Sequence, residues 1–433
     1  MSSPLPELPV TVEAWLSYIE SLHPKTIEMG LSRVQAVADR LQLEFPFTVI
    51  TVGGTNGKGS TCAMLESIYA TAGYRVGCYT SPHLVQYHER VRLLGELISD
   101  EVLCAAFTAV EQARAEIALT YFEMGTLAAL WAFEQQALDI VILEVGLGGR
   151  LDAVNIVDAD CAIVTNVDLD HMEFLGDTRE LIGHEKAGIY RQQQIAICGD
   201  AQPPASLLRY VETLGVPLKR FGVDYSIDVS DTQQAQYQDA QGALAIGSLK
   251  LFGDYQWQNA ASVIYAVRAL QARLTVSVDD LRQGLAATEV VGRFQYWKRA
   301  PDVILDVAHN PHAARALRHN LQQLSADGSR VLAVFSMLSD KDIAGVVEIL
   351  HDVIDEWHIA PIQHPRAASV DYLQQCLADR VSGRQLQTHA DLPAALASCY
   401  KKAAKNDKII VFGSFFTVAA ILEITPERWI SPN

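Results

Sequence analysis

Residues 45–65 read FPFTVITVGGTNGKGSTCAML, and this stretch decides the fold of the first part of the chain. A run rich in β-branched residues is followed by four glycines and one lysine within residues 53–59, and an apolar helical pattern resumes at Cys62. Glycine costs backbone entropy on folding, so a loop of this composition indicates that something requires bare backbone. The usual partner is a phosphate group, which backbone amides bind at the N-terminus of the following helix.

The loop departs in two respects from the general phosphate-binding pattern G-x-x-x-x-G-K-[ST]. Its lead-in is one residue shorter, and Gly59 separates Lys58 from the hydroxyl group of Ser60. The strand before the loop and the helix after it still provide free amides, and Lys58 provides a cation for the β- and γ-phosphates of a nucleotide. The alternative is a glycine-rich turn that carries a surface lysine.

The composition of the 433 residues is that of an ordinary globular chain, with 49% hydrophobic and 20% charged residues. No apolar run reaches about 18 residues, so we expect no membrane span, and the N-terminus does not resemble a secretory signal. Seven cysteines without a CxxC pair favour reduced thiols in a cytoplasmic protein over a metal cluster. The net charge of −17 argues against a nucleic-acid partner, and it implies that a polyphosphate site must recruit cations.

Short β-branched runs alternate with amphipathic helical patterns from residue 47 onward, which is typical of α/β proteins with a parallel sheet. The rhythm breaks over residues 220–255, which indicate short antiparallel strands, and it restarts near residue 296 with four further strands. We therefore predict a P-loop-type parallel-sheet ATPase domain over 1–295 and a smaller, Rossmann-like α/β domain over 296–433. The strands predicted for the first domain are 47–52, 75–80, 139–145, 161–167 and 194–198.

Polar residues follow several of these strands, at the edge of the sheet where a ligand is expected. Glu144 ends a buried run and suits a Mg²⁺ held against phosphates, although it could instead cap a neighbouring loop. His171 lies just after the next strand, which favours a ligand role over a core histidine. Lys186, in GHEKAGI, could also be a solvated helical lysine. In the second half, the strand ends carry Asp306 with His309, Asp340 to Asp342, and Gly413 with Ser414.

Taken together, these segments resemble the folylpolyglutamate synthase/dihydrofolate synthase family of the Mur ligase superfamily, and within it the bifunctional bacterial branch. The matching motifs run in order from residue 54 to 415: GTNGKGS, SPHL, TYFE, EVGLGGRLDA, LDH, EKAGI, GRF, DVAHNP, DKD and GSF. An N-terminal segment at 21–34, SLHPKTIEMGLSRV, also matches the bifunctional branch; the alternative is an amphipathic helix that only covers the sheet.

The resemblance implies an ATP-dependent ligase that adds L-glutamate to 7,8-dihydropteroate, giving dihydrofolate, and to tetrahydrofolates, giving polyglutamates. ATP would phosphorylate the acceptor carboxylate, and the glutamate amine would displace phosphate from the acyl phosphate. The resemblance also suggests a monomer, although the sequence itself does not give the oligomeric state. The alternatives are a monofunctional folylpolyglutamate synthase, another Mur-type amide ligase such as a peptidoglycan precursor synthetase, and an ATP-driven switch or motor that needs no acceptor.

The resemblance also carries site residues onto this sequence. Two Mg²⁺ ions are implied, one bound by Ser81 and Glu144 and the other by His171 and a carbamylated Lys186. The residues implied in nucleotide binding are Asn56, Gly57, Lys58, Gly59, Ser60, Asn259, Arg293 and Asp306. Those implied in binding the pterin-bearing substrate are Thr26, Glu28, Thr120, Tyr121, Phe122, Glu123, Leu151, Asp152 and Ala153, while His309 and Ser414 would place the incoming glutamate. Lys58, Lys186, His171 and His309 are the residues implied in catalysis.

Overall fold

The computed structural model describes residues 8–25, 27–229, 235–378, 380–381 and 385–424. The chain forms two compact units. The first contains residues 1–82, 88–248 and 258–288, and the second contains residues 83–87, 249–257 and 289–433. No helix among the described residues is long and apolar enough to span a membrane.

The first unit is built on an eight-stranded sheet in the order β4-β3-β2-β5-β1-β6-β7-β8. From β2 to β8 in this order all neighbours are parallel, and β3 and β4 add an antiparallel hairpin at one edge. The central strands are buried along almost their whole length, as expected where helices cover both faces. The strands are β1 (Thr48–Gly53), β2 (Val76–Tyr79), β3 (Val91–Leu93), β4 (Glu96–Leu97), β5 (Ile140–Glu144), β6 (Cys161–Val164), β7 (Ile195–Cys198) and β8 (Lys219–Arg220).

Helices connect these strands, and four of the eight begin at a side chain that caps the first backbone amides. Ser99 and Thr120, for example, accept hydrogen bonds from amides in the first turn of α4 and α5. The helices are α1 (Val12–Ser21), α2 (Ser32–Leu41), α3 (Lys58–Thr71), α4 (Asp100–Arg114), α5 (Tyr121–Glu134), α6 (Met172–Leu175), α7 (Arg179–Ala187) and α8 (Ala205–Leu214).

A three-stranded antiparallel sheet follows in the chain, in the order β11-β10-β9. Its strands are β9 (Tyr225–Asp228), β10 (Ala235–Asp239) and β11 (Gly242–Ile246), and the next helices are α9 (Asp254–Ala269) and α10 (Val278–Ala287). Helix α10 packs closely on α3, where Gly284 leaves no room for a side chain beside the backbone of Ile68.

The second unit has a six-stranded sheet in the order β12-β13-β17-β14-β15-β16, in which only β12 is antiparallel to its neighbour. Apolar clusters cover both faces of this sheet. Its elements are β12 (Gln295–Lys298), β13 (Asp302–Asp306), α11 (Pro311–Leu324), β14 (Val331–Phe335), α12 (Ile343–Leu350), β15 (Glu356–Ile359), α13 (Val370–Ala378), β16 (Leu386–Thr388), α14 (Leu392–Lys402), β17 (Lys408–Phe412) and α15 (Phe415–Leu422).

The predicted α/β class and the two parallel sheets are confirmed. Sequence patterns missed strands β3, β4, β8, β12 and β16. Four of these lie at sheet edges and β3 lies next to one, and such short strands have little buried surface to impose a periodic pattern. The domain boundary between residues 295 and 296 stays a prediction.

Candidate active site

The glycine-rich loop leaves β1 and enters α3 through two glycines in the left-handed region, Gly54 (φ +142°) and Gly57 (φ +84°). A Cβ atom on Gly54 would overlap the hydroxyl oxygen of Thr165, and one on Gly57 would lie 2.7 Å from the Asn259 Oδ1 atom. Both glycines are therefore required by backbone conformation and by close packing. The same contact places Asn259, a predicted nucleotide ligand, against the loop.

The loop is held by the residues that follow β6, the neighbouring strand. Asn166 accepts a hydrogen bond from the Asn56 amide on its Oδ1 atom at 3.0 Å and from the Thr55 amide on its backbone carbonyl at 3.0 Å. Thr165 donates its hydroxyl hydrogen to the Asn56 carbonyl at 2.6 Å. These bonds keep the loop open before any ligand binds.

Helix α3 begins at Lys58, and its N-cap is Gly57, which has no side chain to bond the first amides of the helix. An anion at this helix N-terminus would meet those amides and the positive end of the helix dipole. The half-buried Lys58 ammonium group donates to the carbonyls of Gly54 and Thr55 at 3.1 and 3.3 Å. The structure thus brings the predicted phosphate-binding residues 56–60 together in a geometry that suits a polyphosphate.

Ser81 follows β2, and Glu144 is the last residue of β5, an adjacent strand of the same sheet. The Ser81 amide donates to Glu144 Oε2 at 3.1 Å, and Glu144 is only 4% exposed. The structure is therefore compatible with both interpretations of Glu144. Its carboxylate accepts a hydrogen bond from the loop after β2, as a loop cap would, and it also lies beside the phosphate loop, where a Mg²⁺ ligand is expected. Hydroxyl and carboxylate oxygens are the donors that Mg²⁺ prefers.

Lys186 lies near the end of α7 and is 4% exposed, so the prediction that it could be a solvated helical lysine is wrong. Burial, and after it the positive charge of Lys58, lower the pKa of its ammonium group to about 7, against the opposing effect of Asp170 and Asp152. A lysine of this kind carries a substantial neutral fraction near neutral pH. Lys186 is thus the most perturbed cation near the phosphate loop.

His171 is exposed, has φ +51° and precedes the short helix α6. Its backbone amide donates to Asp170 Oδ1 at 2.8 Å, so the turn after β6 is held locally. No group of three His, Cys, Asp or Glu side chains among the described residues is gathered for a metal ion. The donors still fit a hard cation that also takes oxygens from nucleotide phosphates, but the protein alone supplies an incomplete ligand set.

Helix α5 carries four of the predicted substrate residues. Thr120 and Glu123 form a reciprocal capping box at its start, and Glu123, which is 3% exposed, also accepts a hydrogen bond from Arg33 at 2.9 Å. The two side chains therefore stabilise the start of α5, and Glu123 also binds the segment around Arg33 to this helix. The Phe122 ring occupies the space beside Gly146, where a Cβ atom would lie 2.5 Å from it, and the guanidinium group of Arg90 lies over the Tyr121 ring.

Asp152 is 4% exposed and accepts hydrogen bonds from the amides of Leu147 at 2.7 Å and Val154 at 3.0 Å. Burial raises the pKa of its carboxyl group to about 7, although backbone hydrogen bonds and the charge of Lys58 act in the opposite direction. A carboxylate near half-protonation can both donate and accept hydrogen bonds. Leu151 and Ala153, the neighbouring predicted residues, flank Asp152 in this turn.

The segment between α1 and α2 reaches the same edge of the sheet, because the Gly30 amide donates to the Leu151 carbonyl at 3.3 Å. Glu28 forms ion pairs with His23 at 3.2 Å, Lys25 at 3.6 Å and Arg33 at 3.5 Å. Residues 22–25 and 27–31 form no helix, so the alternative of a helix covering the sheet is wrong for them. Thr26 lies outside the described residues.

Among the predicted residues of the second unit, Asp306 ends β13, while His309 and Ser414 follow β13 and the adjacent strand β17. Arg293 precedes β12. Asp306, 6% exposed, accepts from the amides of Phe294 at 2.9 Å and Ala308 at 2.8 Å, and burial raises the pKa of its carboxyl group. The guanidinium group of Arg293 and the ring of His309 both lie near the Phe415 ring. Ser414 caps α15 by accepting from the Thr417 amide at 2.9 Å.

Sequence patterns missed two arginines that hold the first unit's site. Arg33 bonds Glu123, and Arg92 forms a largely buried pair with Glu66. Arg33 lies in the 21–34 segment, but no role was predicted for it there, and Arg92 lies outside every matching motif. An arginine in a helix or a short strand looks like an ordinary surface residue. Only pairing with a distant acid marks these residues, and that pairing is invisible without the fold.

Comparison with known proteins agrees with this arrangement. Residues 52–267 match the Mur ligase middle domain, and residues 292–415 match the Mur ligase glutamate ligase domain. The dihydrofolate synthase/folylpolyglutamate synthase of Escherichia coli K12 is 47% identical over 424 residues, which cover 98% of this chain and 97% of that protein.

Solved structures extend the likeness to the whole fold. The E. coli FolC structure with DHPP and ADP superposes with a TM-score of 0.91 at 45% identity, over 97% of this chain and 98% of that one. The bifunctional folylpolyglutamate synthase/dihydrofolate synthase of Yersinia pestis, solved with AMPPNP and a Mn ion, gives a TM-score of 0.88 at 43% identity. The match covers 97% of this chain and 99% of that one. The chain belongs to the dihydrofolate synthase/folylpolyglutamate synthase family of Mur-type ATP-dependent ligases.

Proposed function

We propose that the chain uses ATP and a divalent metal to add L-glutamate to 7,8-dihydropteroate and to tetrahydrofolates. The observation that carries the proposal is the gathering of the phosphate loop, Ser81, Glu144 and the buried Lys186 at one edge of one sheet. Relatives that are similar over nearly the full length bear both activities in their names, which supports the bifunctional form over a monofunctional one.

The proposed reaction first converts the acceptor carboxylate into an acyl phosphate, because a free carboxylate is inert toward amines. Lys58 and the amides at the start of α3 would bind the β- and γ-phosphates and offset the charge that develops on the transferred group. A divalent cation supplies further charge neutralisation when it is bound beside Glu144 and Ser81. The glutamate amine then attacks the acyl carbon, the amide bond forms, and phosphate leaves.

Lys186 is proposed to act as a carbamate. The ammonium group first loses one proton. The neutral amine then attacks the carbon of CO₂, a C–N bond forms as one C=O π bond breaks, and a second proton leaves the nitrogen, so a cation becomes an anion with two oxygen donors. The low pKa of the lysine, about 7, supports this step because only the neutral amine has a lone pair. The product completes the donor set together with His171, whereas an ammonium group at this place would repel a metal ion.

The acceptor end of the site is proposed to lie among Phe122, Tyr121 and Asp152, with Thr120, Glu123, Leu151 and Ala153 holding their backbones. An aromatic heterocycle can stack on a ring, and its ring nitrogens can bond a carboxyl group that titrates near pH 7. Glu28 and Thr26 would extend this surface. Both acceptors present a pterin and a carboxylate, so one reaction centre can serve both.

In the second unit, Arg293 and Asp306 are proposed to contribute to nucleotide binding, and His309 and Ser414 to placing glutamate. The match of residues 292–415 to a glutamate ligase domain supports this division. We further propose that the enzyme is a monomer that acts in the cytoplasm. The seven free cysteines are consistent with a reducing compartment.

Phosphate release and mass-spectrometric product detection test the proposal directly. Purified protein is given ATP alone, then ATP with glutamate and either dihydropteroate or tetrahydrofolate. We expect release to depend on both co-substrates and one glutamyl unit to be added to each acceptor. Release that ignores the acceptor would refute the ligase function. Extension of tetrahydrofolate without any reaction of dihydropteroate would leave a monofunctional folylpolyglutamate synthase.

A further inference from the structure

Arg92 of β3 forms a largely buried ion pair with Glu66 of α3, on the side of the sheet that carries the phosphate-loop helix. The Arg92 Nε atom donates to both carboxylate oxygens at 3.0 and 2.8 Å, and the Nη2 atom lies 2.7 Å from Oε2. The side chains are 23% and 12% exposed. Removing two charges from water costs free energy, and an apolar pair of similar volume would fold at least as well. The pair therefore calls for an explanation beyond stability.

The remaining donors of Arg92 hold the chain on either side of the Ser81 turn. The Nη1 atom donates to the Glu89 carbonyl at 3.2 Å and lies 3.4 Å from the Thr80 hydroxyl oxygen, and Nη2 lies 3.3 Å from the Cys78 sulfur. Thr80 in turn donates its amide to the Arg90 carbonyl at 2.9 Å. One guanidinium group thus fastens the end of β2 to the start of β3.

This network connects the two halves of the predicted phosphate and metal site. Thr80 is bonded directly to Ser81, whose amide donates to Glu144. On the other side, Glu66 lies two turns along the helix that begins at Lys58. A helix transmits position along its length, so Arg92 sets the distance between the Ser81 turn and the helix that carries the phosphate loop.

We propose that Arg92 is a positioning residue that sets the Ser81 turn against α3, and so prepares Ser81 and Glu144 to bind a divalent cation with the nucleotide. The inference rests on the metal and nucleotide site of the proposed function, which it deepens. Only a planar fork with several donors can reach Glu66, Thr80 and Glu89 at once, and a lysine ammonium cannot reproduce this geometry.

The test measures binding of Mn²⁺ to the protein–AMPPNP complex by electron paramagnetic resonance, so it does not depend on turnover. The main variant is the double substitution Arg92→Met with Glu66→Met, which replaces the pair without leaving a buried charge. The matched control is Arg75→Met with Asp139→Met. That pair is also bidentate, at 3.1 and 2.9 Å. It lies where β2 and β5 begin, whereas Ser81 and Glu144 lie where these strands end. Arg92→Lys keeps the charge and loses the fork.

We expect Mn²⁺ affinity to fall about tenfold in the Arg92/Glu66 variant, as for residues that orient metal ligands. In Arg92→Lys the Mn²⁺ affinity should fall by a smaller factor. The Mn²⁺ affinity of the control variant should stay within twofold of wild type, and so should the affinity of every variant for AMPPNP without metal. If the double variant fails to fold, Arg92→Lys decides the question by the same measurement. Wild-type Mn²⁺ affinity in the folded variant, or an equal loss in the Arg75/Asp139 control, would overturn the inference.

The proposed reaction and the proposed role of Arg92 can be refuted independently of each other. Wild-type protein that binds Mn²⁺ and AMPPNP but adds no glutamate would refute the proposed reaction, and the affinities of the variants would still decide the role of Arg92. Normal ligation with unchanged metal affinity in the double variant would refute the role of Arg92 alone. Wild-type protein that binds no Mn²⁺ with AMPPNP would overturn the positioning role, because there would be no metal site to prepare.

Discussion

At the eight-stranded sheet, polar residues beyond the strand ends, together with Lys186 of α7, bond the phosphate loop or lie buried with strongly shifted pKa values. At the six-stranded sheet Asp306 is also buried with a raised pKa, but other polar residues after the strands cap helices. Lys186 and Asp152 illustrate the first case, since each titrates at about pH 7. Ser414 and Asn310 illustrate the second, because their side chains accept hydrogen bonds from the first turns of α15 and α11. Both edges show the same pattern in the sequence, a buried strand followed by polar residues.

The difference shows that this pattern locates an edge but does not reveal how the edge is used. A side chain that already caps a helix lowers the free energy of the fold before any ligand arrives. A buried ionisable group with a shifted pKa raises the free energy of the fold, so it is retained for another reason, most often function. The following substitutions test whether the two edges differ in this way.

The largest effect is expected for Lys58→Ala. The substitution removes the cation of the phosphate loop, which we expect to cost about 2–4 kcal/mol of transition-state stabilisation, or roughly 10²–10³ in kcat/KM. The melting temperature should change little, because the hydrogen bonds of the Lys58 ammonium group within the described part of the chain go to the carbonyls of Gly54 and Thr55 in its own loop. Steady-state product formation and a thermal melt measure both quantities. Lys219→Ala, which removes a half-exposed ion pair with Asp224, is the control. Turnover of the Lys58 variant within threefold of wild type would contradict the assignment.

Lys186→Met should separate function from stability. We expect the loss of the proposed carbamate to remove several kcal/mol of charge stabilisation, or roughly 10² in rate. In CO₂-free buffer the variant should nevertheless melt at a higher temperature than wild type at pH 7, because a buried lysine is replaced by an apolar side chain.

The pH dependence of stability checks this prediction independently. The pKa of Lys186 is about 7 in the folded chain against 10.5 for an ordinary lysine, so between these values the unfolded chain binds more protons. Wild-type stability should therefore gain a contribution that rises with pH across this window, and Lys186→Met should lack it. Equal pH slopes in urea unfolding of the two proteins would show that the lysine is not held in its neutral form.

Gly57→Ala should have a smaller effect than either lysine variant. Gly57 and Gly73 lie at the two ends of α3 with nearly the same φ, +84° and +85°. A Cβ atom at Gly57 would meet the Asn259 amide group at 2.7 Å, but one at Gly73 would have nothing within 4 Å. Both alanine variants should lose about 1–2 kcal/mol of stability from the left-handed backbone, measured by urea unfolding. Only Gly57→Ala should weaken nucleotide binding, by about tenfold. Equal nucleotide affinities would contradict the packing argument.

Ser414→Ala should give the smallest effect. Loss of the helix cap should cost about 1 kcal/mol of unfolding free energy. Ser277→Ala is the matched control, because Ser277 caps α10 by accepting from the Asp280 amide at 3.0 Å. If Ser414 also places glutamate, its variant alone should raise the KM for glutamate. An unchanged KM in both variants would assign Ser414 to capping alone and sharpen the difference between the two edges.

Much of the first unit could be predicted from local patterns. A loop such as GGTNGKG must bend through left-handed residues next to a helix start, so its role is encoded in a few consecutive residues. Glu144 could be found because it ends a buried run, and His171 because it lies in the polar segment that follows one. The sequence does not decide whether Glu144 caps a loop or binds a metal ion, because its hydrogen-bond partners come from the strand beside it in the sheet.

The sequence by itself therefore determined the fold class, the phosphate loop and the strand ends that carry polar residues, since each depends on periodicity or on the backbone needs of neighbouring residues. Only the tertiary structure decided that Lys186 is buried beside Lys58, that Arg33 bonds Glu123 and that Arg92 bonds Glu66. The partners in the two arginine pairs are 90 and 26 residues apart in the chain. Burial and pairing across such separations follow from the order of strands in the sheet, which no local pattern encodes.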